Sequence, residues 1–161
     1  MGILILGLKK IILLKMQKSS LLKGYRVIDA SRILVGSYSA MMLADMGAEV
    51  IKIEQPGKGD ETRTWGPPFI RDNLSTYYAS LNRNKKSITI DFKKNEGREI
   101  VKDLARNADV FMQNFIPRKA AEFGFDYENM KKINDNLVYA SVGGFPVGSA
   151  LENKAAFDLT I

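Results

Sequence analysis

From residue 24 onward, β-favouring segments and helix-compatible segments follow one another in turn. The β-favouring segments are short and rich in apolar or β-branched residues, which is typical of strands buried within a sheet. They are predicted at residues 25–30, 49–53, 87–92, 109–115 and 137–142. Because helix patterns alternate with them, the strands are predicted to run parallel and to be joined by right-handed crossovers. The predicted fold class is α/β, with a mostly parallel sheet and flanking helices.

Three segments between the strands have helical patterns. Residues 37–46 are compatible with a helix in which Ser37 is the N-cap and Gly47 follows the C-terminal end. A second helix is predicted from about residue 96 to residue 107, because apolar side chains recur there at helical spacing. A third, short helix is predicted near residues 127–133. These helices supply the crossovers that a parallel sheet requires.

A long loop is predicted at residues 55–73, which contain three prolines and three glycines. A loop of this length within a compact domain usually has a function or forms a lid. We therefore expect this segment to lie beside a ligand site.

The chain contains no cysteine and no histidine. The missing cysteine excludes a disulfide framework, a cysteine-based zinc site and a thiol nucleophile. The missing histidine excludes an imidazole base, a Ser-His-Asp triad and a histidine-ligated metal. Any chemistry must therefore use carboxylates, Lys, Tyr, Ser or backbone groups, or residues outside this chain.

The net charge of +6 belongs to the first part of the chain. Residues 1–23 hold five lysines and no acid, whereas the other 138 residues hold 19 basic and 18 acidic side chains. The segment 24–161 is therefore nearly neutral, and no nucleic-acid-binding surface is predicted.

Residues 1–23 form a basic leader. Its apolar runs, 2–8 and 11–14, are much shorter than the roughly 20 residues of a membrane span, so no membrane anchor is predicted. Its apolar residues precede the first lysines, unlike a secretory signal, and Leu6 excludes the myristoylation motif. Scattered lysines without acids favour a mitochondrial presequence. The alternative is a disordered extension or a gene-prediction artefact, which would leave the protein cytoplasmic.

An α/β sheet binds ligands beyond the carboxyl ends of its strands. Residues 31–36 follow the first strand and precede a helix, whose first amides could hold an anion. The dinucleotide fingerprint G-x-G-x-x-G and the P-loop motif are both absent, so neither an NAD site nor a P-loop is predicted.

Three polar positions near predicted strand ends have two interpretations each. Glu54 is either the ribose-binding acid of a dinucleotide site or a solvated carboxylate. Residues 82–86 carry three cations and two amides, and form either a surface turn or a contact to phosphate or carboxylate. At residues 114–115, Phe115 alone would be a core residue, whereas Asn114 beside it suits an amide contact next to an aromatic surface.

These segments, in this order, resemble CoA-transferase family III, which includes formyl-CoA, carnitine-CoA and succinate–hydroxymethylglutarate CoA-transferases and α-methylacyl-CoA racemase. The resemblance covers about residues 24–161. Residues 64–69 and 82–86 are most similar to the succinate–hydroxymethylglutarate branch. The matching blocks are 24–29, 43–54, 59–69, 81–88 and 108–115.

The resemblance implies a Rossmann-like large domain that binds coenzyme A or acyl-CoA as a substrate, with no permanently bound cofactor and no metal. The matching CoA-contact positions follow successive strands, and the last group borders the pantetheine arm. They are Ile33, Leu34, Val35, Gln55, Ile90, Lys93, Asn114, Phe115, Ile116, Lys154, Phe157 and Asp158.

The resemblance also implies a covalent mechanism through an aspartyl-CoA intermediate. CoA would move between an acyl-CoA such as succinyl-CoA and a dicarboxylate such as glutarate or hydroxymethylglutarate. The nucleophilic Asp is expected beyond Ile161, so no residue of this chain is predicted to be catalytic. Two positions depart from the formyl-CoA branch, because Gln55 and Glu122 lie where arginines contact CoA. The resemblance further implies that the full-length form is a homodimer.

Racemase relatives carry a histidine immediately before the position of Asp158, where this chain has Phe157. Transferase activity is therefore predicted rather than racemisation. The chain stops within an apolar run at Ile161, so we expect residues 24–161 to be the incomplete large domain of a longer enzyme, inactive alone. Two alternatives stay open: a non-catalytic short isoform that binds CoA, and a racemase-like enzyme.

Overall fold

The computed structural model describes residues 21–70 and 74–156. Within these residues, one five-stranded sheet has all its neighbouring strands parallel, in the order β3–β2–β1–β4–β5. The strands are β1 (Arg26–Asp29), β2 (Glu49–Glu54), β3 (Lys85–Thr89), β4 (Val110–Gln113) and β5 (Val138–Ser141). The predicted α/β class with a parallel sheet and flanking helices is confirmed.

Five α-helices and one short 3₁₀ helix (Glu61–Thr64) connect the strands in the described part of the chain. The α-helices are α1 (Val35–Asp45), α2 (Thr76–Asn82), α3 (Asn95–Arg106), α4 (Pro117–Phe123) and α5 (Tyr127–Ile133). The patterns at residues 37–46, 96–107 and 127–133 predicted α1, α3 and α5. Helices α2 and α4 have seven residues each and were not predicted.

The strand order reverses direction at β1. The chain builds β1, β2 and β3 outward on one side, and then returns to place β4 on the other side of β1. The loops that leave the carboxyl ends of β1 and β4 therefore diverge and open a crevice between them. This topology determines where a ligand can approach the sheet.

Alternate residues of each central strand point to opposite faces of the sheet, and two cores result. Ile28 and Phe111 pack on the face covered by α3, α4 and α5. Val27 and Met112, their neighbours in sequence, pack on the other face, against Ala40 of α1. The period of two in side-chain direction explains this division.

The start of α1 differs from the prediction. The helix begins at Val35 and its N-cap is Leu34, which makes no side-chain capping hydrogen bond. Ser37 lies within the helix and is fully buried, and its Oγ accepts a hydrogen bond from Lys52 Nζ at 3.1 Å. The Ser37 hydroxyl therefore binds a buried lysine and does not cap the helix.

The third strand also differs from its prediction, because it covers Lys85–Thr89 instead of residues 87–92. Lys85 pairs with Val50 in the parallel register, although it is a charged residue with low β propensity. The apolar residue Ile90 follows the strand and is buried at its carboxyl end.

Three predictions fall largely outside the described residues. The first is the targeting role of residues 1–23, because the structure describes only the last three of these residues. The other two concern Phe157 and Asp158, which lie in the terminal segment that the structure does not describe. Among residues 21–70 and 74–156, no helix is long and apolar enough to cross a membrane.

The first turn of α3 packs very closely on the segment after β3. A Cβ placed on Gly97 would overlap the carbonyl oxygen of Asp91 and lie 3.1 Å from Ile90 Cγ2. Replacing a helical glycine with alanine normally stabilises a helix by about 1 kcal/mol. Here we expect Gly97→Ala to lower the free energy of unfolding by about 1–3 kcal/mol, because overpacking outweighs propensity. Urea denaturation measures the change.

Gly143→Ala is the matched control, because the added Cβ would meet only the Phe145 carbonyl oxygen, at 3.7 Å. We expect that variant to stay within about 0.5 kcal/mol of the wild type. A Gly97→Ala protein that is as stable as the wild type would contradict the packing described here.

Candidate functional site

A cleft of about 360 Å³ opens at the carboxyl-end edge of the sheet. Its walls come from the segments that follow β1, β2, β3 and β4, and from one side of α4. The crevice beside β1 and β4 is where the topology of an open α/β sheet places a ligand. This cleft is the candidate functional site.

Aromatic rings form one wall of the cleft. Phe92, Phe115 and Phe123 all line it, and their ring centroids lie 5.5–5.9 Å apart. Phe115 meets the other two rings edge to face, an arrangement that favours tight aromatic packing. This wall presents a large apolar surface to the cleft and can hold a flat or aliphatic group.

Three cationic side chains line the same cleft. Arg32 forms an exposed ion pair with Glu61, with a distance of 3.2 Å between Nη1 and Oε1. Lys119 forms one with Glu122, with a distance of 2.7 Å between Nζ and Oε2. Lys93 is exposed, and among the described residues it makes no ion pair. Exposed ion pairs are weak, so an anionic ligand can compete with Glu61 for Arg32 and with Glu122 for Lys119. Lys93 has no ion pair to lose among the described residues, so the ligand can contact all three cations.

Beneath the cleft, Lys52 is almost completely buried. Its Nζ lies 2.9 Å from Asp60 Oδ2 and donates hydrogen bonds to the Ser31 carbonyl oxygen and to Ser37 Oγ. Burial alone would raise the pKa of Asp60, but the Lys52 charge and hydrogen bonds from Thr62 hold it below its ordinary value. This ion pair attaches the long loop to β2 and to the start of α1.

A second buried lysine is found in the charged segment 82–86. Lys85 Nζ lies 2.9 Å from Asp29 Oδ2 and also contacts the Ser37 carbonyl oxygen. Burial lowers the pKa of Lys85, and the charge of Asp29 opposes that shift. The interpretation of this segment as a surface turn is therefore wrong for Lys85.

The other cations of this segment also bind carboxylates of the protein. Arg83 pairs with Asp45, and Lys86 pairs with Glu49. Neither cation lines the cleft. The segment thus connects β3 to α1 and β2, and it is not part of the candidate site.

The expectation of a solvated carboxylate at Glu54 is also wrong. Its side chain is 1% exposed and accepts hydrogen bonds from Arg63, Tyr78 and Ser87 and from the Asp60 amide. Burial alone would raise the pKa of Glu54, but these hydrogen bonds, led by those of Arg63, lower it to about 2. Glu54 therefore stays ionised and holds the long loop and α2 against the sheet.

The loop between β1 and α1 is held by Asn114. Asn114 Oδ1 accepts a hydrogen bond from the Arg32 amide at 2.9 Å, and Asn114 Nδ2 donates one to the Arg32 carbonyl oxygen at 2.8 Å. The Ile33 amide donates to Asp60 Oδ2 at 3.3 Å. Ile33 has a φ of 65°, which is rare for a β-branched residue.

The structure brings together part of the predicted set of CoA-contact residues. Gln55, Ile90, Lys93 and Phe115 line the cleft. Three others, Ile33, Asn114 and Ile116, are next to cleft residues in sequence, whereas Leu34 and Val35 lie two and three residues after Arg32; none of these five lines the cleft. Lys154 is exposed in the turn that ends the described chain and does not line the cleft.

Sequence reasoning missed Arg32, Lys119, Phe92 and Phe123 as cleft residues. Each lies in a loop or in the unpredicted helix α4, where no periodic pattern indicates the direction of a side chain. Glu122 had been singled out only as a departure from an arginine. The structure adds that Glu122 pairs with Lys119, one turn earlier on the same helix.

The depressed pKa of Glu54 predicts a pH-dependent contribution to stability. A carboxyl with an ordinary pKa of 4.5 and a folded-state pKa of about 2 stabilises the fold above pH 4.5, and loses that contribution as the pH falls toward 2. We expect Glu54→Gln to reduce the free energy of unfolding by about 3 kcal/mol at pH 7, with a difference that shrinks toward zero near pH 2. Chemical denaturation over this pH range measures the difference.

Glu61→Gln is the control in the same loop, because the Glu61 side chain is 56% exposed and its ion pair within the described residues is with exposed Arg32. That variant should remain within about 0.5 kcal/mol of the wild type. A Glu54→Gln difference that is constant from pH 7 to pH 2 would show that the charge of Glu54 is not what stabilises the fold.

Comparison with known proteins shows the family to which the chain belongs. The model of CoA-transferase family III matches residues 22–161. A succinyl-CoA:glutarate CoA-transferase of Mus musculus is 46% identical over 137 residues, which cover 85% of this chain and 31% of that protein. A succinate–glutarate CoA-transferase of Agrobacterium fabrum is 44% identical over 145 residues, covering 87% of this chain and 36% of the relative.

A solved structure agrees with these sequence matches. The crystal structure of a CAIB/BAIF family protein from Brucella suis superimposes with a TM-score of 0.83 and 42% identity, over 89% of this chain and 38% of that one. This chain spans about a third of the length of the relatives that it matches. The family model covers most of the chain, and the chain therefore belongs to CoA-transferase family III.

Proposed function

We propose that this chain is the CoA-binding N-terminal part of an enzyme that moves CoA between an acyl-CoA and a dicarboxylate. The donor is succinyl-CoA, and the acceptor is glutarate or hydroxymethylglutarate. The names of the Mus musculus and Agrobacterium fabrum relatives support this substrate class. Phe157, at the position where racemase relatives carry a histidine, also favours transfer over a racemisation that uses that imidazole base.

The observation that carries the proposal is the combination of an aromatic wall and three cations in one cleft. CoA carries a flat adenine, a diphosphate and a further phosphate. Phe92, Phe115 and Phe123 supply a surface for the flat or aliphatic part of the ligand. Arg32, Lys93 and Lys119 supply charge-assisted hydrogen bonds to phosphate oxygens. The other predicted contact residues except Asn114 also belong to this proposal, and Lys154, Phe157 and Asp158 are its contacts near the pantetheine arm.

The proposed chemistry passes through a carboxylate nucleophile, an Asp beyond Ile161. The carboxylate attacks the thioester carbonyl, the C–S bond breaks, and CoA leaves as a thiolate, which gives an acyl-aspartyl mixed anhydride. The thiolate then attacks the aspartyl carbonyl of the anhydride and releases the donor carboxylate, which gives an aspartyl-CoA thioester. The acceptor carboxylate attacks this thioester and expels the thiolate, which gives a second mixed anhydride. The thiolate attacks the acceptor acyl carbonyl of that anhydride, the C–O bond to the Asp breaks, and the new acyl-CoA and the free Asp carboxylate result.

Two carboxylates of the cleft, Glu54 and Asp60, are unsuited to that attack. Glu54 accepts five hydrogen bonds, and Asp60 is paired with Lys52. A nucleophile must have a free oxygen that can reach the thioester, and these oxygens are committed to the fold. We therefore propose that the part described here binds CoA, and that the longer enzyme, a mitochondrial homodimer, completes the active site.

The proposal predicts that two exposed lysines contribute directly to CoA affinity. We expect Lys93→Ala and Lys119→Ala each to weaken CoA binding by roughly three- to tenfold, because each removes a charge-assisted contact to phosphate. Added salt should weaken wild-type binding. Isothermal titration calorimetry with CoA measures both effects.

Lys131→Ala is the matched control, because Lys131 is an exposed lysine on α5 that does not line the cleft. Its affinity for CoA should stay within twofold of the wild type. Unchanged affinity in both cleft variants, or no binding of CoA at millimolar concentration, would contradict the proposed site.

A second prediction concerns activity. The chain alone should form no glutaryl-CoA from succinyl-CoA and glutarate, because the proposed nucleophile is not among its residues. The Mus musculus succinyl-CoA:glutarate CoA-transferase is the positive control, and chromatography of the CoA esters is the measurement. Transfer by the 161-residue chain would overturn the assignment of the nucleophile.

A further inference from the structure

Arg32 is held at two points by consecutive residues at the end of β4. The side-chain amide of Asn114 pairs with both the amide and the carbonyl oxygen of Arg32, at 2.9 and 2.8 Å. The guanidinium carbon of Arg32 lies 5.7 Å from the ring centroid of Phe115. One residue thus fixes the Arg32 backbone, and the next residue places a ring beside its cation.

The rest of this loop is held by side chains from the buried network. Lys52 donates to the Ser31 carbonyl oxygen, and Asp29 Oδ1 accepts from the Ser31 amide. Asp60 Oδ2 accepts from the Ile33 amide. A Cβ on Gly36 would overlap the Ser31 side chain, so the first turn of α1 also packs directly on the loop.

Ile33 has an unfavourable backbone conformation within this frame. A φ of 65° is strained for a β-branched residue, because its Cβ crowds the neighbouring carbonyl group. Such a conformation persists only where surrounding contacts determine it. The hydrogen bonds to Arg32 and Ile33 supply those contacts.

We propose that Asn114 is a positioning residue that acts through Arg32 and does not itself hold the ligand. The bidentate contact orders the Arg32 backbone before binding, so the cation does not lose that freedom when a phosphate arrives. The inference rests on the proposed function of the cleft, because it assigns Arg32 to a phosphate of CoA. The sequence suggests a direct contact between the Asn114 amide and the ligand. In this proposal Asn114 acts on the ligand through the loop that carries Arg32.

A double-mutant cycle separates the two roles. If Asn114 acts through Arg32, Asn114→Leu weakens CoA binding about fivefold in the wild type and less than twofold in an Arg32→Ala protein. If the amide contacts CoA directly, the loss is the same in both backgrounds, and that result overturns the inference. Calorimetry with CoA provides the four affinities.

Hydrogen exchange in the ligand-free protein gives an independent readout. Asn114→Leu should speed exchange of the Arg32 amide by about tenfold and leave the amides of β2 unchanged. Unchanged exchange at Arg32 would overturn the inference even if affinity falls. Faster exchange throughout the sheet would assign Asn114 a general role in stability, which also overturns it.

A conservative variant tests the geometry and covers the case in which Asn114→Leu does not fold. Asn114→Asp keeps the acceptor for the Arg32 amide and loses the donor to its carbonyl oxygen, so its affinity should lie between those of the wild type and Asn114→Leu. An Asp variant as weak as the Leu variant would contradict the bidentate contact. If the wild type does not bind CoA, the proposed function fails, whereas the exchange of the Arg32 amide still decides whether Asn114 holds the loop.

Discussion

Two buried lysines and the carboxylates that neutralise them determine how the loops of this fold are placed. Lys52 with Asp60 and Lys85 with Asp29 lie within ion pairs that are at most 2% exposed. A buried charge without its partner would cost several kcal/mol, so each partner must remain in place. Because Asp60 belongs to the long loop and Asp29 to β1, the pairs fix the loop, the sheet and the start of α1 relative to one another. The positions fixed by these ion pairs determine the shape of the cleft.

The sequence predicts the sheet well because its central strands are apolar runs, and the hydrophobic effect alone identifies them. The errors occur where polar contacts override local pattern. Ser37 has the chemistry of an N-cap, but its hydroxyl binds Lys52 inside α1. Lys85 looks like a surface residue, but Asp29 draws it into the sheet and moves the start of β3. Helices α2 and α4 have seven residues each, which leaves little periodic signal, although α5 has the same length and was predicted.

The candidate site was only partly predictable for a related reason. Family resemblance identified Gln55, Ile90, Lys93 and Phe115, which line the cleft, whereas Arg32 and Lys119 became cleft residues only in the three-dimensional structure. Whether a loop side chain faces a cleft depends on contacts between distant residues, such as the 82-residue separation between Arg32 and Asn114. Local sequence patterns contain no information about such contacts.

Lysine has two roles in this molecule, and the burial of the side chain distinguishes them. Lys52 and Lys85 are buried beside carboxylates, so their charges are committed to the fold. Lys93 and Lys119 lie at the cleft, where a charge is either free among the described residues or shared in an exposed pair. An incoming phosphate cannot displace a buried carboxylate without exposing a charge to an apolar interior, but it can displace Glu122 from Lys119 at little cost. The paired acids near the cleft therefore do not cancel its attraction for an anion, and Asp91, a half-buried carboxylate of the cleft with no ion pair among the described residues, is the acid left to oppose it.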